Sequence, residues 1–319
     1  MPSGTSIHVL ASGKPGHVVP CVGLARALGL EPVVRPVSRR LLFRALAPWG
    51  PSDPADPATA PPFPDIVIAS ARETVPALRA VKRRSGGNTF AVFLGDPRIS
   101  HGVFDLIWAP EHDRVTGANV IKTLTAPHPH NDAVLAAAQE RPDTRLAGLP
   151  GPRIACLIGG PSGQFAFGPD DISTTCGAIE ALLANGVSIM ATASRRTPDG
   201  LTSRMAALAE RFPANAFFWD GNGENPYRQM LAAAEGFLVT SDSTNMIGEA
   251  LAAGKPVQVI RLSGDAGKFA YFYDELIRRG KIRYWDGALQ VWQTEPVDAT
   301  QELAAEVVRR YMAFRGNGS

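Results

Sequence analysis

The residues best suited to chemistry form the turn Thr240-Ser241-Asp242-Ser243-Thr244-Asn245, which brings hydroxyls, a carboxylate and an amide together. It follows the apolar run 236–239 and opens a helical pattern that carries Met246 and Glu249 and closes at Gly254, before Pro256 leads into the next strand. Ser241 and Ser243 can cap that helix and leave its first N–H groups facing outward, which suits an anion. The spacing of Ser241, Asn245 and Glu249 keeps them near one helical face. At the carboxyl edge of a parallel strand, such a turn is a site for phosphate and sugar hydroxyls. The plain alternative is an ordinary βαβ turn with a good N-cap.

A second turn, Gly159-Gly160-Pro161-Ser162-Gly163, also follows an apolar run, and its N–H groups can cradle a diphosphate. The two turns should face each other across open space at one sheet edge, with Glu249 pointing between them. A third turn, Ser12-Gly13-Lys14-Pro15-Gly16-His17, follows the first strand. It is neither G-x-G-x-x-G nor a Walker loop, and its glycines, Gly13 and Gly16, allow close backbone approach. His17 at a helix N-terminus suits a neutral base, or it merely caps the turn. Asp96, and His112 between Glu111 and Asp113, each follow a strand pattern and suit general-base work, or they are solvated loop charges. His128-Pro129-His130 lacks a third ligand at metal-like spacing, so neither a metal nor a cofactor is expected.

These turns need strands to carry them. The hydrophobic pattern predicts strands over 7–11, 32–37, 65–69, 89–94, 104–108 and 119–122, with helices over 17–28, 38–46, 73–84 and 131–140 between or after them. Seven prolines in 47–64 forbid regular structure there. After a Pro/Gly-rich linker over 141–152 the alternation resumes, ending in a helix over 299–314. Alternating βα units mean α/β architecture with parallel sheets. The expected division is an N-terminal domain, 1–147, and a C-terminal domain, 148–319. The stretch 38–46 is basic and amphipathic, with Arg39, Arg40 and Arg44 beside Leu41, Leu42 and Phe43, and Trp49 just after it. It can lie on an anionic membrane surface, or bury one face in the core with its arginines in water.

The 319 residues, 45% hydrophobic and 19% charged, suit a globular protein of two domains. A net charge of +2 gives no reason to expect a nucleic-acid partner. Three cysteines without a C-x-x-C pair suit buried thiols in a reducing compartment. No apolar run approaches the ~20 residues of a membrane span, and no signal peptide is evident, so the expected location is the cytoplasm, with peripheral membrane contact.

The chain is similar to the mitochondrial fission ELM family. The matching pieces are Gly13-Lys14-Pro15-Gly16-His17, Asp96-Pro97-Arg98, Phe104-Asp105-Leu106-Ile107, Pro110-Glu111-His112-Asp113, Ile158-Gly159-Gly160, and Ser241 to Met246 through Gly254-Lys255-Pro256-Val257. The three turns also resemble, in the same order, those of the peptidoglycan N-acetylglucosaminyltransferase that makes lipid II. The resemblance implies a GT-B-like architecture: two Rossmann-like domains with parallel sheets facing a cleft, and a C-terminal helix crossing back. It points to a metal-independent glycosyltransferase using a nucleotide-diphosphate sugar and an unknown acceptor. In that reading the C-terminal domain is the nucleotide side, where Gly160 to Gly163, after Gly159, hold the diphosphate, and Ser243, Asn245 and Glu249 bind nucleotide or sugar hydroxyls. The N-terminal domain is the acceptor side, with Gly13, Lys14 and Gly16 as its loop. His17, Asp96 or His112 deprotonates the acceptor. Two departures count against it: Asp242-Ser243 replaces a small glycine-containing turn, and Asp265 to Phe269 lacks the expected glutamines. The alternatives are a non-catalytic membrane-associated scaffold with a protein partner, the role known for the plant member, and a sugar-nucleotide epimerase.

Overall fold

A computed structural model describes residues 1–38 and 40–316, with the backbone alone at Pro15. Arg39, one of the basic residues of the expected surface helix, lies outside the described residues. The chain forms two units. The first is Met1–Asn131 with the segment from Asp298 onward, and the second is Asp132–Val297.

In unit 1 the elements are β1 (Ile7–Ala11), α1 (Pro15–Ala27), β2 (Val33–Pro36), α2 (Leu41–Leu46), β3 (Ile66–Ser70), α3 (Val75–Arg84), β4 (Phe90–Leu94), β5 (Leu106–Pro110) and β6 (Val120–Thr123). All strand pairs are parallel, in the order β2-β1-β3-β4-β5-β6. β1 and β4 are buried at every residue, and apolar but for His8 of β1, because helices cover both faces of the sheet. One face sends Val9, Ile68 and Val92 against Leu24 of α1, and the other sends Leu10, Val67 and Phe93 against Leu78 of α3.

Unit 2 contains α4 (Asp132–Glu140), α5 (Thr144–Ala147), β7 (Arg153–Ile158), α6 (Pro169–Ala184), β8 (Ser188–Ala193), α7 (Asp199–Arg211), β9 (Ala216–Trp219), α8 (Tyr227–Ala233), β10 (Gly236–Thr240), α9 (Thr244–Leu251), β11 (Val257–Ile260), α10 (Ala270–Arg278) and β12 (Ile282–Tyr284). Its parallel sheet runs β12-β11-β10-β7-β8-β9. α4 docks on α8, with Gln139 Nε2 donating to Ala232 O at 2.9 Å, so residues 132–147 group with unit 2. The Pro/Gly linker pattern therefore lies inside this unit. The three-residue β12, too short for a hydrophobic period, is an addition to the expected strands.

The last helix, α11 (Ala299–Gly316), returns to unit 1 as the resemblance implies. Leu303, Val307 and Tyr311 fill the face that α1 shares, and the Tyr311 ring meets Phe90 edge-on at 5.8 Å. α2 departs from the core-facing alternative. It has no buried residue, and Leu41 and Leu42 are 76% and 66% exposed. Ser38 lies outside the helix: its hydroxyl donates to Asp53 Oδ2 at 2.8 Å, and its N–H to Asp56 Oδ2 at 2.9 Å. No helix among the described residues is long and apolar enough to cross a membrane.

Because Leu303 is fully buried, Leu303→Ala should cost about 2–5 kcal/mol of stability in urea unfolding. A loss below about 1 kcal/mol would mean that α11 is not part of this core.

Candidate functional site

In unit 2 the connections run from β7 outward through β8 and β9, then return past β7 to β10, β11 and β12. The strand order thus reverses between β7 and β10, the place where open α/β sheets bind ligands beyond the carboxyl ends of their strands. The loops leaving β7 and β10 are the two turns singled out in the sequence, 159–163 and 241–245.

The loops touch directly instead of facing each other across open space. Thr240 Oγ1 accepts the Gly159 N–H at 2.9 Å and donates to Asp242 Oδ1 at 2.7 Å. Asp242 Oδ2 accepts the Gly160 N–H at 2.9 Å and an Arg196 Nη2–H at 3.3 Å. The Asp242 side chain has no exposed area, whereas that of Arg196 is half exposed. Burial pushes the Asp242 carboxyl above the usual range, opposed by the Gly160 N–H, Thr240 and Arg196. Arg196 also donates to the carbonyls of Gly160 at 3.1 Å and Pro161 at 2.5 Å. Glycine is required at both positions. A Cβ on Gly159 would lie 2.0 Å from Asp242 Oδ2, and one on Gly160 would lie 2.3 Å from the Arg196 carbonyl oxygen.

Capping falls to Ser243 alone, whose Oγ accepts the Met246 N–H at 3.3 Å. Ser241 is buried and turned away, its Oγ accepting the Leu262 N–H at 3.0 Å and its carbonyl accepting the Tyr273 hydroxyl. Asn245 is exposed on the first turn of α9. Ser162 shapes its own loop, accepting the N–H groups of Gln164 at 3.3 Å and Phe165 at 3.1 Å, and Gly163 is exposed beside it. Glu249, half-buried on the second turn of α9, accepts the Tyr227 hydroxyl at 2.5 Å on Oε2. Its Oε1 has no partner among the described residues. Burial pushes the Glu249 carboxyl up to about 7 against the opposing pull of Tyr227. Burial and the adjacent carboxylate push the Tyr227 phenol up as well.

The remaining expected residues lie in unit 1. Gly13, at φ 81°, turns the chain out of β1, Lys14 is the N-cap residue of α1, and Gly16 is exposed in its first turn. His17 is half-buried. Burial and then Lys14 lower its pKa, while Glu73 raises it. Asp96 is exposed after β4, accepting the Arg98 N–H at 2.8 Å. The His112 ring is buried after β5, with Nε2 3.8 Å from Asp113 Oδ1. His128 is buried, its Nε2 3.5 Å from Asp298 Oδ1 and its backbone N–H donating to Thr300 Oγ1 at 3.0 Å. Among the described residues, no cluster of three or more His, Cys, Asp or Glu could hold a metal ion. Arg196 and Tyr227 escape sequence reasoning, because each follows a different strand and only the sheet order brings it to Asp242 or Glu249.

The family described as mitochondrial fission ELM1 matches residues 15–311. Mitochondrial fission protein ELM1 of Arabidopsis thaliana is 29% identical over 279 residues, covering 79% of this chain and 65% of that protein, so the chain spans about 65% of the length of this relative. Among solved structures, UDP-GlcNAc 2-epimerase from Methanocaldococcus jannaschii superposes with a TM-score of 0.54 at 12% identity, over 96% of this chain and 98% of that one. S. aureus MnaA, in a co-structure with UDP, gives 0.51 at 13% identity, over 96% and 89%. At such identities the likeness is one of fold. The α/β fold, with two six-stranded parallel sheets, is GT-B-like.

The Glu249 environment makes stability depend on pH. Its carboxyl titrates near 7 in the folded chain, against 4.5 ordinarily, so the folded state keeps a proton that the unfolded chain has already released. Stability relative to Glu249→Gln should therefore fall as pH rises from 4.5 to about 7, by at most ~3 kcal/mol, and level off above that. Urea unfolding of both proteins across this range is the check. Parallel curves would mean that Glu249 is ionised throughout.

Proposed function

The chain belongs to the mitochondrial fission ELM1 family, and on that premise we propose that unit 2 binds a nucleoside-diphosphate sugar and that the protein is a metal-independent GT-B-type glycosyltransferase. The observation that carries this reading is the Glu249 carboxylate. One oxygen is held by Tyr227 and the other is open, on the helix that starts at the strand-order reversal. A ribose or hexose diol presents adjacent O–H donors, and charge-assisted bonds to a carboxylate are the strong kind. The N-terminus of α9 and the half-exposed Arg196 supply positive potential for the phosphates. Since Asp242 already holds the Gly160 N–H, the diphosphate role in this reading shifts to the exposed Ser162–Gly163 stretch and the first turn of α9. Asn245 is placed to meet a hydroxyl, while Gly159, Gly160, Ser241, Asp242, Ser243 and Met246 shape the site.

The acceptor base comes from unit 1. His17 is favoured, because its lowered pKa leaves it neutral and able to take a proton at pH 7, with Asp96 and His112 as the other candidates. The UDP in the MnaA co-structure and the UDP-GlcNAc of the M. jannaschii enzyme's name support the nucleotide-sugar class, and the latter keeps epimerisation among the reactions this frame can run. The exposed leucines of α2, beside Arg40 and Arg44, support peripheral contact with an anionic membrane surface of the cytoplasmic compartment. A second reading, a non-catalytic scaffold with a protein partner, draws on Asp242, whose carboxylate occupies an N–H that a diphosphate would use.

Calorimetric titration with uridine, guanosine and thymidine diphosphates separates the readings. One of them should bind, and Glu249→Gln, which keeps an acceptor for Tyr227, should weaken it about tenfold or more. No binding by the wild type would favour the scaffold, and undiminished binding by the variant would put the site elsewhere.

A further inference from the structure

Unit 1 has a strand-order reversal of its own, since β2 and β3 flank β1 on opposite sides. There the loops leaving β1, β2 and β3 enclose a cavity of about 450 Å³, lined in part by Ser12, Lys14, Arg44, Arg72 and Glu73. The three cations, Lys14, Arg44 and Arg72, have no ion pair or hydrogen bond to their side chains among the described residues. Among the described residues Glu73 is the one carboxylate of the lining, against three cations, so the lining is net positive. Of the nearby acids, Asp53 is paired with Arg40 and Asp56 is turned to the N–H groups of Ser38 and Ala58, and neither lines this cavity. Ser12 is only 8% exposed. Its Oγ accepts a long bond of 3.5 Å from the Lys14 N–H, and its own O–H finds no acceptor among the described residues. A buried hydroxyl with an unused donor, beside three uncompensated cations, calls for an anion with several acceptor oxygens. Ala71 adds to the picture, leaving β3 at φ 78°, a strained turn for a residue with a Cβ.

We infer that this cavity is a phosphate-binding site, contacted by Ser12, Lys14, Arg44 and Arg72, for a ligand carrying a phosphomonoester or a diphosphate. The inference rests on the proposed transferase activity only in naming that ligand the acceptor. Arg44 lies on α2, between the exposed Leu42 and Leu46. A phosphate joined to an apolar chain fits both features, and a free phosphate compound fits the cavity alone.

Calorimetry of the full chain with inorganic pyrophosphate, in the absence of any nucleotide, tests the site itself. The wild type should bind. Arg44→Ala with Arg72→Ala should weaken binding at least tenfold without moving the thermal midpoint, since both side chains are exposed and unbonded, while the exposed control Arg141→Ala should bind as the wild type does. No wild-type binding, or full binding by the double variant, would overturn the inference. Flotation with phosphatidylcholine vesicles, with and without phosphatidic acid, then identifies the source of the phosphate. Retention only with phosphatidic acid, lost in the double variant, and lost in Leu41→Ser/Leu42→Ser while pyrophosphate still binds, assigns a lipid phosphate. Pyrophosphate binding without retention assigns a soluble one, and the site stands. Because no sugar nucleotide is present, this result is independent of the Glu249 titration.

Discussion

Asp242 closes the gap between two strands that follow one another in the sheet but lie some eighty residues apart in the chain. Its carboxylate, without exposed side-chain area, accepts from Gly160, Thr240 and Arg196 at once. An anion so placed holds its surroundings by what separation would cost. Pulling the loops apart strands a buried charge and leaves buried N–H groups unpaired, at about 1–3 kcal/mol for each neutral donor and more for the charge. The glycines at 159 and 160 follow from the same constraint, because the space a Cβ needs is filled by Asp242 and by the Arg196 backbone. The position of α9 follows too. Ser241 and Ser243, on either side of Asp242, are fixed respectively to Leu262 and to the first turn of the helix.

The electrostatic consequence bears on function. The Asp242 carboxylate repels a diphosphate from the Gly160 N–H, so the proposed nucleotide site lies further out, towards α9 and the exposed face of Arg196. Glu249 then becomes the main hydroxyl acceptor, with Tyr227 fixing its orientation. Burial raises the pKa of Glu249, while hydroxyl donors on its open oxygen would favour the charged form and pull it down again. Such a group is poised to change protonation on binding near neutral pH.

Much of the fold was legible, because parallel strands buried on both faces read as apolar runs and the connecting turns carry glycine, serine and proline in the expected places. Glu249 and the turn before it were legible for the same reason, since strand, cap and helix lie within one short stretch. Tyr227, Arg196 and Tyr273 were not, because each reaches the site from a different βα unit and nothing in local spacing sets that. The role of Ser241 was misjudged: two serines can cap on paper, but the end of the adjacent β11 claims one of them. For α2 the sequence left two readings open. Its period is amphipathic, yet at six residues it lies outside the core, with its leucines in solvent, which removes the core-facing one.

The most direct test of a nucleotide site at the reversal of unit 2 is amide hydrogen exchange of the full chain, with and without millimolar uridine, guanosine or thymidine diphosphate. At least one nucleotide should slow exchange in peptides covering 159–165 and 241–249, with little change in unit 1. Protection confined to other peptides, or no change with any of the three, would contradict a nucleotide site there.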